Sequence, residues 1–462
     1  MPDLEFDAVI LGGGSAGYAA ARTLASGGAK CAVIEGGEKV GGLCILRGCM
    51  PTKALLHAAE LREAARQAES WGITSAEVSV DLAKAIAHKD RLIEEFASYR
   101  RQQLSDGRFA FIRAMASFID PHQVRLDDGR TISAKNFIIA TGSTQAIPPV
   151  AGLVEAGYLT SATAINLTTL PKTLAILGGG AVAVEFAQYF ARFGVQVTLI
   201  QRSAQILKDF DTDVANEVTK ALHREGIRVL TRTKLERVDR VPGGTRIQFT
   251  ENGESRELVV EEILNGLGRI QNTASLHLDR AAVMTDHQRI VTTTDQQTSQ
   301  QHIYAAGDCC GPHEIVHIAI QQGEIAAHNI LHPHKPRRMD HRLLLSIVFS
   351  DPQVACVGMT EAQAKLKGLA YVTAQYPFND HGKSIILGSQ EGFVKLMAAP
   401  DTGEILGGAC VGPQGGELIH EIVVAMSKRM TVAELAQVPH YHPTLSEIWT
   451  YPAEDLAEQV GS

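Results

Sequence analysis

Two patterns of apolar and polar residues recur along this chain: short, nearly continuous apolar runs, and longer segments whose apolar positions repeat with a helical period. Near the start, the run FDAVIL at 6–11 stops at three glycines, YAAARTLAS then carries a helical pattern, and CAVI forms a second apolar run. This order predicts a strand, a tight glycine turn, a helix and a second strand. It recurs 166 residues on, from Gly12 to Gly178, in TLAILGGGAVAVEFAQYFARFGVQVTLIQRS. Between the two copies lie the helical stretch TKALLHAAELREAARQAE and strand-like segments ending in NFIIATGS. After the second copy, QHIYAAGDCC reads as a strand and EIVHIAIQQGEIAAHNIL as a helix, so the first domain is expected to be interrupted by the second and to resume behind it. Beyond HKPRRMD, strands followed by helices predict a separate α+β domain. The expected boundaries are 1–149 and 270–340 for the first domain, 150–269 for the second and 341–462 for the third.

Composition narrows the picture. The 462 residues, 45% hydrophobic and 20% charged, suit a globular protein of roughly three domains. A formal net charge of -8 argues against a general nucleic-acid binder, which needs clustered lysine and arginine. The compact basic run HKPRRMDHR at 334–342 is short and reads as a solvated linker. No apolar stretch is long enough to span a bilayer, and the start MPDLEFDAVILGGGSAG lacks the basic flank of a secretory signal, so a cytoplasmic protein is expected. Seven cysteines are too few for a disulfide scaffold; one working pair plus isolated thiols fits the odd count.

The glycine turns carry the first chemistry. Gly12, Gly14 and Gly17 follow the GxGxxG spacing, with Ser15 and Ala16 opening the helix. Such a turn lets backbone approach a pyrophosphate, whose charge is met by the helix N-terminus. Glu35 closes the second strand 18 residues after Gly17, where a carboxylate can bind ribose hydroxyls. In the second copy Gly178 and Gly180 are retained, Ala183 stands where the third glycine would be, and Gln201 and Arg202 stand where an acid would close the strand. Two dinucleotides are therefore expected. A carboxylate repels the extra phosphate of NADP, whereas Arg202 and Lys208 can pair with it, so NADP(H) is favoured over NAD(H). The alternative is two ordinary surface charges.

Cys44 and Cys49 stand five positions apart in GGLCILRGCMPTK, residues 41–53. They can be a structural staple, a metal site or a redox pair. A staple would close only a short loop, which gives limited stabilisation, and no second pair with ligand spacing sits nearby for a metal. A cysteine near a helix N-terminus is favoured as the reactive thiolate. Far along the chain, HPTLSE supplies His442 followed five residues later by Glu447, a couple suited to proton transfer, whereas His440 reads as a packing residue. Cys31, Cys356 and Cys410 lie in apolar runs and read as buried hydrophobes. Adjacent Cys309 and Cys310 follow Asp308, and a strained bridge or a soft-metal site is a minor reading of them; no metal site is expected.

Six features in order, the first glycine motif, GGLCILRGCMPTK, ATGS at 140–143, the second glycine motif with GLGRIQN at 266–272, YAAGD at 304–308 and HYHPTLSE at 440–447, give the chain its resemblance to a known family. It resembles the flavin-dependent pyridine nucleotide-disulfide oxidoreductases, the family of dihydrolipoamide dehydrogenase, glutathione reductase and mercuric reductase. The resemblance covers essentially the whole chain. It implies that the first module binds FAD through Gly12, Gly14, Ser15, Ala16, Gly17, Glu35 and Gly42, and the second binds the nicotinamide nucleotide through Gly178, Gly180, Ala183, Arg202, Lys208 and Gly268. Asp308 matches the acid that holds the flavin's ribityl chain, and Thr141 and Gly142 match the loop where the chain passes between domains. Cys49 is implied to face the flavin, and Cys44 to be the more exposed sulfur, exchanging with substrate through a mixed disulfide. Lys53 is implied to sit near the flavin paired with Glu185. His442 is implied to act on the disulfide of a second subunit, which makes the protein a homodimer joined through residues from about 341 onward.

The implied activity is passage of electrons between NAD(P)(H), FAD, Cys44–Cys49 and a dithiol or disulfide, in the manner of dihydrolipoamide dehydrogenase. HPTLSE and GPQGGELIHE resemble that group most, while Ala183 and Arg202 lean towards NADPH-dependent reductases of a small disulfide such as glutathione. Mercuric reductases usually carry a C-terminal cysteine pair and lack the His–Glu couple; here no cysteine follows Cys410. A flavoprotein that has lost turnover would be free to lose Cys44, Cys49 or His442, and all three are present. No lipoyl-carrying segment is evident, so a lipoyl group is expected to arrive on another chain.

Overall fold

The computed structural model describes residues 4–74 and 78–461. Two compact units emerge: one takes Met1–Leu55, Ala83–Ala146 and Gly268–Asp340, the other Leu56–Leu82, Ile147–Leu267 and His341–Ser462. The fold class expected from the sequence is observed, with two dinucleotide-type sheets, one mixed and one parallel, and a C-terminal α+β layer.

In the first unit the strand Leu4–Leu11 is the sheet's centre, flanked in parallel by Cys31–Ile34 and by Thr131–Ile139. Ala110–Ile112 extends the sheet beyond Cys31–Ile34. The long strand Thr131–Ile139 serves two neighbours: Gln123–Leu126 pairs antiparallel with its first residues, and Ile303–Ala305 pairs parallel with its last. The chain that leaves the unit therefore returns to the same strand, as the interrupted pattern predicts. Successive strand residues point to opposite faces, and both are covered. Val9 and Leu11 pack with Phe118 and Phe137, while Ala8 and Ile10 pack with the helix Ser15–Ser26. That helix lies against Val316–Leu331 at Gly323, where a Cβ would stand 2.3 Å from the carbonyl oxygen of Ala16.

The second unit holds a parallel sheet ordered Arg228–Leu230, Gln196–Ile200, Thr173–Leu177, Glu262–Asn265, and a three-stranded antiparallel meander over 233–260. Its C-terminal part is a five-stranded antiparallel sheet in which Gln353–Gly358, Ile405–Gly412 and Phe393–Ala398 are the inner strands. The helices Gly415–Ser427 and Thr450–Gly461 contribute to its core, with Trp449 fully buried. The helix Ala181–Arg192 is tied to this part by three side chains. Glu185 accepts the Phe349 N–H at 3.0 Å, Gln188 accepts the Asp351 N–H at 2.8 Å, and Arg192 pairs with Asp351 and Glu225, both at 2.7 Å. Among the described residues no helix is long and apolar enough to cross a membrane.

Candidate active site

The first glycine turn exists because its backbone passes against a neighbouring strand. Gly12 has φ 107°, and a Cβ there would lie 2.4 Å from the Ala140 carbonyl oxygen; Gly178, its counterpart, has φ 112° and the same 2.4 Å approach to Gly266. Only glycine fits either position. Glu35 closes the first turn by accepting the N–H groups of Gly13 at 2.8 Å and Gly37 at 2.6 Å. The equivalent Gln201 is buried and folds back on its own loop, accepting from the Arg202 N–H at 3.1 Å. The side chains of Arg202 and Lys208 are left exposed.

A cleft of about 620 Å³ opens above the first turn. It is lined by Gly12, Gly14, Ser15, Ala16, Glu35, Gly42, Cys44, Cys49, Thr141, Gly142 and Asp308, so residues far apart in sequence converge on one surface. Gly17 lies beneath the turn rather than in the lining, and Lys53 stands one helical turn beyond Cys49. The lining suits a flavin dinucleotide on its own geometry. Gly42, with φ 75°, passes so near Gly14 that a Cβ would stand 2.9 Å from the Gly14 Cα, which keeps that end of the cleft clear. Thr141 Oγ1 is buried without a hydrogen-bond partner among the described residues, a polar atom turned to a polar ligand.

A chain of polar groups without a motif of its own stands beside it. Asp308 Oδ2 accepts from Ser143 Oγ at 2.5 Å, and Ser143 in turn accepts from Arg269 Nε at 2.7 Å while Arg269 also reaches the Ser143 carbonyl at 2.7 Å. This bond network fixes Asp308 between two segments that meet as the paired strands Ser143–Gln145 and Arg269–Gln271. The signal was present, since Ser143 ends ATGS and Arg269 follows Gly268 in GLGR, but only the pairing gives these residues a role. Gly268 itself accepts the Ala146 N–H at 3.0 Å through its carbonyl. Glu314, also in the lining, has its carboxyl raised by burial and by the charge of Asp308.

Cys44 lies in the short helix Gly42–Arg47, and Cys49 is the first residue of the helix Cys49–Gln67. Cys49 is exposed and Cys44 intermediate, and both sulfur-bearing residues line the cleft. Cys49 stands at the very start of its helix, directly on the cleft wall. The Cys44 thiol is pushed up first by its hydrogen bond to Cys49, then by burial and by the negative charge of Cys49; Lys53 and Arg100 pull the other way. The Cys44 thiol is thereby held protonated, beside a cysteine that opens the helix Cys49–Gln67.

The other cysteines are inert by position. Cys31 and Cys356 are raised by burial to about 11 and about 12, and Cys410 higher still. Cys309 and Cys310 are buried, and each thiol donates to a main-chain carbonyl at 3.2 Å, of Ile139 and Gly307 respectively.

In the second unit, His442 is 77% exposed along its side chain, while Glu447 is 10% exposed beneath it. Nδ1 of His442 lies 3.1 Å from both carboxylate oxygens, and since a carboxylate only accepts, Nδ1 carries the proton and Nε2 is the nitrogen presented outward. His440 instead is clamped by Glu421 at 2.6 Å and the Val438 carbonyl at 2.9 Å, as a packing residue should be.

The chain is similar to known proteins along nearly its whole length. Residues 6–323 match the sequence model described as pyridine nucleotide-disulphide oxidoreductase, and residues 345–453 match that family's dimerisation domain. The chain is 33% identical over 459 residues to dihydrolipoyl dehydrogenase of Bacillus subtilis, covering 96% of each chain. It is 32% identical over 447 residues to mercuric reductase of Staphylococcus aureus, covering 96% of this chain and 81% of that one. Among solved structures, the HOCl-induced flavoprotein disulfide reductase RclA from Escherichia coli superposes with a TM-score of 0.86 at 28% identity, over 97% of this chain and 99% of that one. The protein therefore belongs to the pyridine nucleotide-disulphide oxidoreductase family, as an FAD-dependent enzyme that also uses a pyridine nucleotide.

Proposed function

We propose that the protein is a dithiol/disulfide oxidoreductase of the dihydrolipoamide dehydrogenase type that favours NADP(H), with Cys44 and Cys49 as its redox disulfide. The observation that carries this reading is that Cys44 and Cys49 lie together in the wall of a cleft suited to a flavin dinucleotide, with Gly12, Thr141 and Asp308. Bound FAD supplies the relay for an electron pair between nicotinamide and sulfur. In the reductive direction NADPH gives up a hydride, the Cys44–Cys49 bond breaks, Cys44 takes the proton and Cys49 keeps the charge. Returning the electrons requires the Cys44 proton to leave, and His442 from a second copy accepts it. Cys44 then attacks the substrate disulfide, one substrate sulfur leaves with the proton from His442, and Cys49 attacks Cys44 to release the other.

The 341–462 segment is proposed to join two such copies, consistent with the dimerisation-domain match over 345–453. Cysteine usage favours a cytoplasmic setting. Lys53, one helical turn beyond Cys49, is proposed to act near the flavin. Lys53→Ala should accordingly slow anaerobic reduction of the bound flavin by NADPH in a rapid-mixing instrument; an unchanged rate removes Lys53 from the mechanism.

Arg202 and Lys208 are proposed to read the 2′-phosphate. Charge-assisted bonds to phosphate are among the strong ones, so Arg202→Ala should lower kcat/KM for NADPH by about 10- to 100-fold while leaving that for NADH nearly unchanged. Equal loss with both nucleotides would contradict the assignment. Arg202 and Ala183 also support a second reading, an NADPH-dependent reductase of a small disulfide. Offering the NADPH-reduced enzyme lipoamide and oxidised glutathione in parallel separates the two: fast reoxidation by lipoamide supports the first reading, and by glutathione disulfide the second.

A further inference from the structure

The Glu447 carboxylate faces a second imidazole. His381, just ahead of the helix Gly382–Leu387, is fully buried, and its Nε2 approaches Glu447 Oε1 at 3.4 Å. The same oxygen lies 3.1 Å from Nδ1 of His442. On its other side His381 Nδ1 meets the hydroxyl of buried Ser384 at 2.8 Å. Because Glu447 can only accept, the favourable arrangement puts the proton on His381 Nε2 and has Nδ1 accept from Ser384. The Nε2 contact is poorly aligned, and that nitrogen has no hydrogen-bond partner among the described residues. A buried donor without a partner is costly, so a small turn of the carboxylate towards His381 is favoured, at the expense of its bond to His442.

We propose that His381 is a positioning residue for the His442–Glu447 couple: its Nε2–H, facing Glu447 Oε1 at 3.4 Å, draws on the carboxylate and thereby tunes how strongly His442 binds its proton. The two histidines share one anion. Burial lowers the His381 pKa, with Glu447 opposing and His442 reinforcing that shift, so His381 stays neutral and donates without adding charge. The remaining titratable groups around it are quiet near neutral pH. Tyr451 meets the ring edge-on at 6.4 Å, Tyr376 stacks on Tyr451 and bonds Asp380, and both phenols are raised by burial, that of Tyr376 to about 12. Removing the Nε2 donor leaves more charge on the oxygens facing His442, which favours its imidazolium form.

This inference rests on the reading of His442 as the proton acceptor, so its test needs a readout independent of turnover. In the FAD-loaded dimer with isotope-labelled histidine, the His442 ring is followed through a pH titration by NMR, and the pH dependence of dihydrolipoamide oxidation is recorded alongside. His381→Leu should raise the His442 midpoint by about half a pH unit, a roughly threefold gain in proton affinity. His381→Gln, which keeps a donor at the Nε2 position, should leave it in place. Ser384→Ala, which frees the His381 tautomer without disturbing the fold's bulk, should shift it in the same direction by less. A His381→Leu midpoint that stays put or falls, or equal shifts in the leucine and glutamine variants, overturns the proposal; should the leucine variant not fold, an unmoved Ser384→Ala midpoint does so. A shifted midpoint in an enzyme without dithiol turnover would instead sustain the role of His381 and count against the proposed function alone.

Discussion

Cys49→Ser and Cys44→Ser are each expected to abolish disulfide turnover, by about 10⁴-fold or more, because two groups that act as one unit lose nearly everything when either is removed. The two variants should fail differently. With Cys49 replaced, the Cys44 thiol no longer donates to the neighbouring sulfur that raises its pKa most. It should ionise more readily and still attack a substrate disulfide, then stall as a mixed disulfide because no second thiolate can resolve it. With Cys44 replaced, Cys49 remains at the start of its helix, facing the cleft, and no mixed disulfide should form. Both variants should retain FAD and still pass electrons from NADPH to an artificial dye acceptor, since that route does not use sulfur. Mass spectrometry of the intact protein after exposure to a disulfide checks the difference: an added half-substrate is expected on Cys49→Ser and absent on Cys44→Ser. Turnover by either variant within tenfold of the parent would remove the pair from the mechanism.

His442→Ala should carry the second largest loss, about 10²- to 10⁴-fold in turnover, with flavin content unchanged. The proton to be removed is that of Cys44. Its thiol is held up by the Cys49 sulfur and by burial, so at neutral pH little of it is thiolate, and exchange waits on a base. His442 is suited to that role because Glu447 engages Nδ1 through both oxygens and leaves Nε2 outward on a well-exposed side chain. The sign of the pH effect follows. The base must be neutral to accept the proton, so activity of the reduced enzyme towards a disulfide should rise with pH through the histidine range, and that acid-side rise should vanish in His442→Ala, leaving a slow reaction that climbs only as Cys44 itself ionises at higher pH. Steady-state kcat/KM measured across pH 5 to 9 reads both features. A variant whose profile keeps the acid limb would show that another group is the base.

The parts of this molecule that are legible in sequence are those set by local backbone geometry. Gly12 and Gly178 announce their turns because nothing larger fits 2.4 Å from a carbonyl oxygen, and the strands beside them are continuous apolar runs because both sheet faces are covered. The return of the chain to the first sheet was also readable, since Ile303–Ala305 has the same apolar texture as the strand it joins. What spacing does not carry is contact between distant segments. His381 lies in FNDHGKS, without any motif around it, and only the fold brings it to Glu447. The Asp308–Ser143–Arg269 chain depends likewise on a strand pairing that joins residues 126 positions apart.

The most direct test of the central claim is to count and locate the reactive sulfurs in the FAD-bound enzyme before and after anaerobic reduction by one equivalent of NADPH, using alkylation and peptide mapping. The account predicts a linked Cys44–Cys49 peptide in the oxidised enzyme, and two newly alkylated cysteines, Cys44 and Cys49, after reduction. Finding both sulfurs alkylated before any reductant is added, or the linked peptide intact after the NADPH has been consumed, would contradict it.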